Sequence, residues 1–423
     1  MRVLAADIPG HVDKEVHVCG WIHRIRELGG ISFVLVRDRS GVVQTVFEGK
    51  APATVESVVC ITGPVRANEK APGGYEVQAS ETKILAEAAG DLPIPVNQDL
   101  EGTSLDAILD NRMVSLRNIK IRDAFRIQSG IIKHFSDYLR SLDFVEIKTS
   151  KLIGTGTEGG TGLFSVEYFD DKVFLAQSPQ FYKQAMVASG LERVFEVAPA
   201  YRAEKHDTPR HLNEYVSLDV EMGFIESEND LMDLEVGILQ AVFAGLQADH
   251  GDILAAFDAE LPSSEALAAT PRIDHDEAKE IISKRGGKKV FEINPEGERI
   301  LCEWAAEEHG VDAVFVYGFP RRKRPFYTYP AGNKTMSFDL LFRGLEITTG
   351  GRRINEYKML QEALPKFGLT EEALADYVSI FKYGCPPHGG FAIGLERLTQ
   401  KILGLANVKE ASLFPRDRRR TRP

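Results

Sequence analysis

The sequence predicts a mixed α/β chain of the α+β kind, in which a small all-β N-terminal barrel precedes a larger domain of strands and helices. Three observations predict it. Residues 16–85 hold five short apolar alternations separated by turn residues; a Pro- and Gly-containing stretch follows at 92–102; beyond it, helical periodicities of three and four alternate with strand-like runs. A chain of 423 residues is long enough for two or three domains with sizeable cores.

The five alternations are VHVCGWI (16–22), ISFVLV (31–36), VVQTVF (42–47), VVCI (58–61) and YEV (75–77), with turns at Gly29 and Gly30, at 38–41 and at 72–74. Five strands in that length suit a small closed barrel. The Gly-Trp-Ile start followed by FVLVRD resembles an OB-fold anticodon-binding domain. The barrel is placed at 1–92, a hinge at 93–118 and the second domain at 119–423. There, Ile121, Phe125, Ile131, Ile132, Phe135, Tyr138, Leu139 and Leu142 mark a long amphipathic helix that leads into FVEIKTS (144–150). Residues 226–317 read as mainly helical, with a helical insertion around 245–315 and nothing catalytic. GTGTEG (154–159) matches a dinucleotide-binding glycine pattern, but a strand-like run (163–169) follows it instead of a helix, so it reads as a mobile lid carrying Glu158.

Composition narrows the function classes. No apolar run approaches a membrane span and no signal-peptide core opens the chain, which predicts a cytoplasmic protein. Cys19, Cys60, Cys302 and Cys385 are scattered with no C-x-x-C pair, which argues against zinc or a disulfide framework and for buried thiols. A net charge of −11 argues against indiscriminate nucleic-acid binding, while RRKR (321–324) and RDRRRTR (416–422) are local basic runs, read as solvated.

The most informative stretch is YRAEKHDTPRHLNEY (201–215), running on to Asp219 and Glu221 between apolar flanks. Charges that dense between buried strands call for a charged ligand such as a nucleoside triphosphate, unless the stretch is a solvated hairpin loop. Two later segments favour the ligand: GLEITTGGRRI (344–354) and GGFAIGLERL (389–398). In the latter, glycines allow close backbone approach and Arg397 sits on the first turn of an apolar-periodic helix.

Together these segments resemble the class II aminoacyl-tRNA synthetases, and within them the short, archaeal-like aspartyl-tRNA synthetases. The resemblance implies a catalytic domain with an antiparallel sheet flanked by helices, working as a homodimer through the helix and strand at 121–150. Ser150 stands where the family's first motif has proline. Arg202 would touch the α-phosphate of ATP and the attacking carboxylate, His211 and Arg397 the outer phosphates, Tyr215 would stack on adenine and Glu204 face its amino group. Mg²⁺ would bind at Glu346 and Thr349, the second position being serine in most of the family. QSPQFYKQAM (177–186) resembles the aspartate-specific motif. Lys183 and Arg353 would bracket the side-chain carboxylate of L-aspartate, while Glu158, Gln180 and Asp219 hold its ammonium group.

For the barrel, Phe33 would stack on an anticodon base and Gln44 hydrogen-bond one, with Arg24, Arg26 and Arg37 on phosphates. Phe33 also alternates with buried positions and reads equally as core. His23 and Pro72 occupy positions that resemble those of non-discriminating enzymes, which charge both tRNA(Asp) and tRNA(Asn) and rely on a tRNA-dependent amidotransferase. The alternatives are an enzyme restricted to tRNA(Asp), an asparaginyl-tRNA synthetase, or a non-catalytic tRNA-binding paralogue.

Overall fold

A computed structural model describes residues 1–100, 102–156, 162–205 and 207–422. They form two compact units, Met1–Ile119 and Lys120–Pro423.

In the first unit, β1 (Glu15–Leu28), β2 (Ile31–Arg37), β3 (Val42–Glu48), β4 (Val58–Ala67) and β5 (Tyr75–Gln78) close in the order β1-β2-β3-β5-β4, with β4 returning to β1. All pairs are antiparallel except β3 with β5. The strand β6 (Glu81–Ala86) adds to β4. Alternation builds the interior from Val16, Val18, Ile22, Val34, Val36, Val43, Phe47, Val59, Ile61, Val65 and Val77. The same alternation turns His17, Cys19, Phe33 and Gln44 outward, so Phe33 is half-buried on the outer face and is not core. Residues 93–100 and 102–118 pack onto this barrel. Ile94 and Val96 are buried, Arg24 donates to the Asn97 carbonyl at 2.8 Å, and two short helices, α1 (Leu105–Asp110) and α2 (Arg112–Ser115), follow.

The cysteine expectation needs correction. Cys19 and Cys60 stand directly opposite on β1 and β4, with Cα atoms 4.1 Å apart, and form a disulfide. The spacing test missed it because the partners come from two strands 41 residues apart. Cys302 is a buried free thiol and Cys385 a half-buried one.

The second unit opens with α3 (Ile119–Ser141), whose Ile127, Ile131, Phe135 and Leu139 are buried. There follow β7 (Val145–Glu146), β8 (Leu152–Ile153), β9 (Ser165–Tyr168), β10 (Asp171–Leu175), α4 (Gln180–Met186), β11 (Arg193–Tyr201) and β12 (Glu214–Gly223). Next come α5 (Glu228–Ala256), α6 (Ser264–Ala268), β13 (Arg272–Asp274), α7 (His275–Gly286), α8 (Pro295–His309), β14 (Ala313–Tyr317), β15 (Pro330–Ala331) and β16 (Lys334–Thr335). The unit ends with β17 (Ser337–Phe342), β18 (Leu345–Arg352), α9 (Tyr357–Ala363), α10 (Ala375–Lys382), β19 (His388–Gly394) and α11 (Leu395–Leu403). Eight strands pair in the order β13-β14-β17-β18-β19-β12-β11-β7, antiparallel from β14 to β11 and parallel at both edges. The expected antiparallel sheet flanked by helices is therefore present.

Apolar residues of α3, α5 and α11 cover one face of this sheet. Ser227 and Asp230 form a capping box that starts α5. By length and composition α5 does reach the threshold for a membrane span, which corrects the sequence reading; its Leu231, Ile238, Leu239, Val242, Phe243 and Leu246 are instead buried in the core. Ser150 meets the chain after β7 through its own hydroxyl, which donates to the Leu152 carbonyl at 2.9 Å and accepts from the Leu152 N–H at 3.2 Å.

Candidate active site

The other face of the sheet carries a cavity of about 330 Å³. It is built where β12, β18 and β19 lie side by side, because neighbouring strands bring Asp219, Thr349 and Ala392 into one register row. Ten residues singled out in the sequence line it: Gln180, Arg202, Glu204, His211, Tyr215, Asp219, Glu346, Thr349, Arg353 and Arg397. Lys183 lies next to the lining residue Asp219, and Glu158 falls outside the described residues.

One part of the site is a buried charge cluster. Lys183 Nζ is 2.8 Å from Asp219 Oδ1 and 3.4 Å from Glu221 Oε2, and it donates to the Val220 carbonyl at 3.3 Å. Arg353 Nε donates to Glu221 Oε1 at 3.0 Å, and its Nη2 donates to the Gly390 carbonyl at 2.9 Å and to Gln180 Oε1 at 3.3 Å. Two cations and two carboxylates thus balance, which is what makes their burial tolerable. Burial alone would raise the Glu221 pKa; Arg353, Lys183 and His388 outweigh it and hold the carboxyl below its ordinary value. Gly390 is required here, since a Cβ would meet the Val220 carbonyl oxygen at 2.0 Å and the Glu221 carboxylate at 2.3 Å.

Beside this cluster, Arg202 follows β11 and its guanidinium lies 5.5 Å from the centre of the Tyr215 ring. Its N–H donates to the Asn213 carbonyl at 2.8 Å, which fixes the start of the charged loop. Thr208 Oγ1 is 2.6 Å from His211 Nδ1. Arg397, on the first turn of α11, donates to the Glu346 carbonyl at 2.8 Å, while Glu396 accepts from the Val216 N–H. Burial pushes the Glu396 carboxyl up to about 8.

Glu346 and Thr349 on β18 meet Asp339 on β17, which pairs directly with Thr349. Thr349 Oγ1 donates to Glu346 Oε1 at 3.0 Å, and Arg324 Nη2 is 2.8 Å from Asp339 Oδ2. Desolvation raises the Glu346 carboxyl, but Arg397 and Arg324 hold it below its ordinary value; burial pushes Asp339 up to about 6 against the pull of Arg324. Asp339 Oδ1 is buried with no hydrogen-bond partner among the described residues. Two carboxylates and a hydroxyl, with one oxygen unsatisfied, fit a hard divalent cation such as Mg²⁺.

Sequence reasoning assigned no role to several residues here. Arg210 Nη2 donates to both oxygens of Glu298 at 2.8 and 2.7 Å, and Glu298 Oε2 also accepts the Glu346 N–H at 3.0 Å. Glu298 lies on α8, in the region read as holding nothing catalytic. The run 321–324 was read as solvated, yet Lys323 and Arg324 line the cavity; the Arg324 side chain is 9 % exposed and its guanidinium lies 3.7 Å from the centre of the Phe319 ring. The proline and aromatic residues that follow, Pro325 to Tyr327, were the available signal that this run is packed.

On the barrel, Gln44, Asn68 and Gln78 all donate side-chain amides to Glu76, at 2.7 to 2.8 Å. Pro72 is exposed in the turn before β5. His23 is 9 % exposed, and its Nδ1 lies 2.9 Å from Arg37 Nη1. Burial and then the Arg37 charge lower its pKa. Arg24 and Arg26 are exposed, but Arg37 is not available to phosphates: it is 3 % exposed and bidentate on Glu56 at 3.0 and 2.9 Å. At the end of β2 both Val36 and Arg37 are buried, which breaks the alternation on which the sequence reading relied.

Residues 104–418 match the family of tRNA synthetases class II (D, K and N), and residues 16–85 match the OB-fold nucleic acid binding domain. The chain is 49 % identical to a protein of Thermus thermophilus named aspartate--tRNA(Asp/Asn) ligase, over 100 % of both chains. It is 44 % identical to a protein of the same name from Deinococcus radiodurans, over 100 % of this chain and 99 % of the other. Among solved structures, the asparaginyl-tRNA synthetase of Pyrococcus horikoshii in complex with asparaginyl-adenylate superposes with a TM-score of 0.93 at 28 % identity, over 100 % of both chains.

Proposed function

Because the chain belongs to the class II tRNA synthetases of the D, K and N group, we propose that it ligates L-aspartate to tRNA(Asp) and tRNA(Asn). The reaction runs through aspartyl-adenylate. The observation that carries the choice of amino acid is the buried pair Lys183 and Arg353 at the cavity. Two cations beside one small side chain favour a carboxylate over an amide, because each can add a charge-assisted hydrogen bond to the carboxylate. Arg353 lines the cavity with Nε and Nη2 engaged by Glu221, Gly390 and Gln180, which fixes the plane of its guanidinium beside the substrate side chain. Gln180 and Asp219 bind the ammonium group.

In the first step the aspartate α-carboxylate attacks the α-phosphorus of ATP and pyrophosphate leaves. Two anions must meet, so catalysis consists largely of positioning and charge neutralisation. Arg202 lies across both groups, Tyr215 stacks on the adenine, Glu204 accepts from its amino group, and His211 and Arg397 neutralise the outer phosphates. Glu346, Thr349 and Asp339 would hold Mg²⁺, which would supply charge neutralisation at the phosphates. In the second step the 3′-terminal ribose hydroxyl attacks the mixed anhydride carbonyl, AMP leaves, and the hydroxyl proton passes to the substrate phosphate.

Charging of both tRNAs is supported by His23 and Pro72 and by the names of the Thermus and Deinococcus relatives. The product aspartyl-tRNA(Asn) then requires a tRNA-dependent amidotransferase. The enzyme acts as a cytoplasmic homodimer joined through α3 and β7. An asparaginyl-tRNA synthetase shares the fold, as the Pyrococcus structure illustrates, but Lys183 disfavours an amide substrate. The test is ATP–pyrophosphate exchange with aspartate and asparagine side by side. Exchange with aspartate alone is expected; exchange driven by asparagine overturns the reading.

A further inference from the structure

His17, Cys19 and Cys60 form a cluster on the barrel that the proposed reaction does not use. Cys19 and Cys60 face each other across the β1/β4 pairing that closes the barrel. His17 precedes Cys19 by two residues and so shares its outward face. Its Nε2 lies 3.2 Å from Cys19 Sγ, and its Nδ1 lies 3.0 Å from Thr62 Oγ1. Thr62 is the direct cross-strand partner of His17, so the contact that orients the ring is built into the register. The two sulfurs and the imidazole nitrogen all lie within 4.8 Å of one another.

We infer that, once the Cys19–Cys60 bond is reduced, His17, Cys19 and Cys60 bind one thiophilic divalent cation of the Zn²⁺ type. The same seam of the barrel is then closed by a disulfide in the oxidised protein and by a metal in the reduced one. The chemistry matches at three points. Zinc takes thiolate sulfur at about 2.3 Å and imidazole nitrogen at about 2.0–2.1 Å, which places ligand atoms within the span found here. Two thiolates and a neutral imidazole cancel the charge of a divalent ion, so no net charge is left in a half-buried site. A hydroxyl on the second ring nitrogen fixes the orientation of a histidine ligand, the part Thr62 plays. Water completes the tetrahedron.

The electron balance is that of thiol–disulfide exchange. A dithiol reductant supplies two electrons and two protons, leaves as its own disulfide, and yields two protein thiols; the cation then displaces both thiol protons. The sequence shows no C-x-x-C because the ligands come from two strands.

The test titrates Co²⁺ into the full-length reduced protein without oxygen and follows thiolate-to-cobalt absorption, with Zn²⁺ as competitor. One equivalent of Co²⁺, displaced by Zn²⁺ and not taken up by the disulfide form, is expected. Cys60→Ser is expected to abolish the signal, Thr62→Val to weaken binding about tenfold, and Cys302→Ser to leave it unchanged. Circular dichroism establishes that each variant is folded, and His17→Ala, also expected to lose tight binding, replaces Cys60→Ser if that variant is not. No cobalt uptake by the reduced protein, or uptake unaltered in a folded Cys60→Ser or His17→Ala variant, overturns the inference.

Discussion

Lys183 Nζ lies 2.8 Å from Asp219 Oδ1, with both side chains 1 % exposed. Glu221 and Arg353 complete a four-charge cluster in which removal of one member leaves a buried charge uncompensated, a change that costs about 3–5 kcal/mol. Lys183→Leu is therefore expected to lower Tm and to abolish aspartate-dependent pyrophosphate exchange. The measurement is made below the variant's own Tm, where ordinary exchange by folded protein removes Lys183 from substrate selection.

Glu298 ties Arg210 to the strand that carries Glu346, its carboxylate accepting three hydrogen bonds. Hydrogen bonds to charged groups contribute about 1.5–3 kcal/mol. Glu298→Gln is expected to slow adenylate formation roughly ten- to a hundredfold, since 1.4 kcal/mol is a factor of ten. Single-turnover kinetics at saturating aspartate separate this from substrate binding, and an unchanged rate means the tie has no part in the reaction.

What was legible in the sequence was contiguous. Arg202, Glu204, His211 and Tyr215 lie within one loop and its flanking strand, and Arg397 follows a glycine-rich strand, so local pattern was enough to single them out. Lys323 and Arg324 reach the same cavity from a short turn, while Asp339 on β17 and Glu298 on α8 sit behind it, tied to the lining residues Arg324, Arg210 and Glu346; nothing in the neighbourhoods of Asp339 and Glu298 signals that convergence. The barrel's strands were visible as alternations, yet Arg37 sits where alternation fails, and the Cys19–Cys60 pair depends on register between distant strands.

Glu235 on α5 is fully buried, and burial raises its pKa from 4.5 to about 8 despite the hydrogen bond donated by Thr348 at 2.5 Å. Between those values the unfolded chain has lost a proton that the folded chain retains, so stability falls as pH rises, by up to about 1.4 kcal/mol per pH unit. Glu235→Gln removes the titration. The Tm of the variant relative to the parent is expected to increase from pH 5 to pH 8; an offset independent of pH contradicts the assignment.

Arg37 and Arg26 are expected to differ in kind. Arg37→Ala breaks a buried bidentate pair with Glu56, which keeps its hydrogen bond from Arg117, and should destabilise the protein by about 1.5–3 kcal/mol. Arg26→Ala, at an exposed position, should leave Tm unchanged and reduce the slope of log K against log salt for tRNA binding by about 0.7–0.9, the value of one phosphate contact. Denaturant unfolding and a salt series on binding read the two effects, and a Tm loss for Arg26→Ala with an intact slope would reverse the assignment.

The central claim is tested most directly by aspartate charging of purified tRNA(Asp) and tRNA(Asn) transcripts side by side at one salt concentration, since RNA affinity shifts with salt. Comparable accumulation of aspartyl-tRNA on both transcripts is the predicted result. Charging of tRNA(Asp) alone contradicts the dual assignment at His23 and Pro72, and charging of neither contradicts the account as a whole.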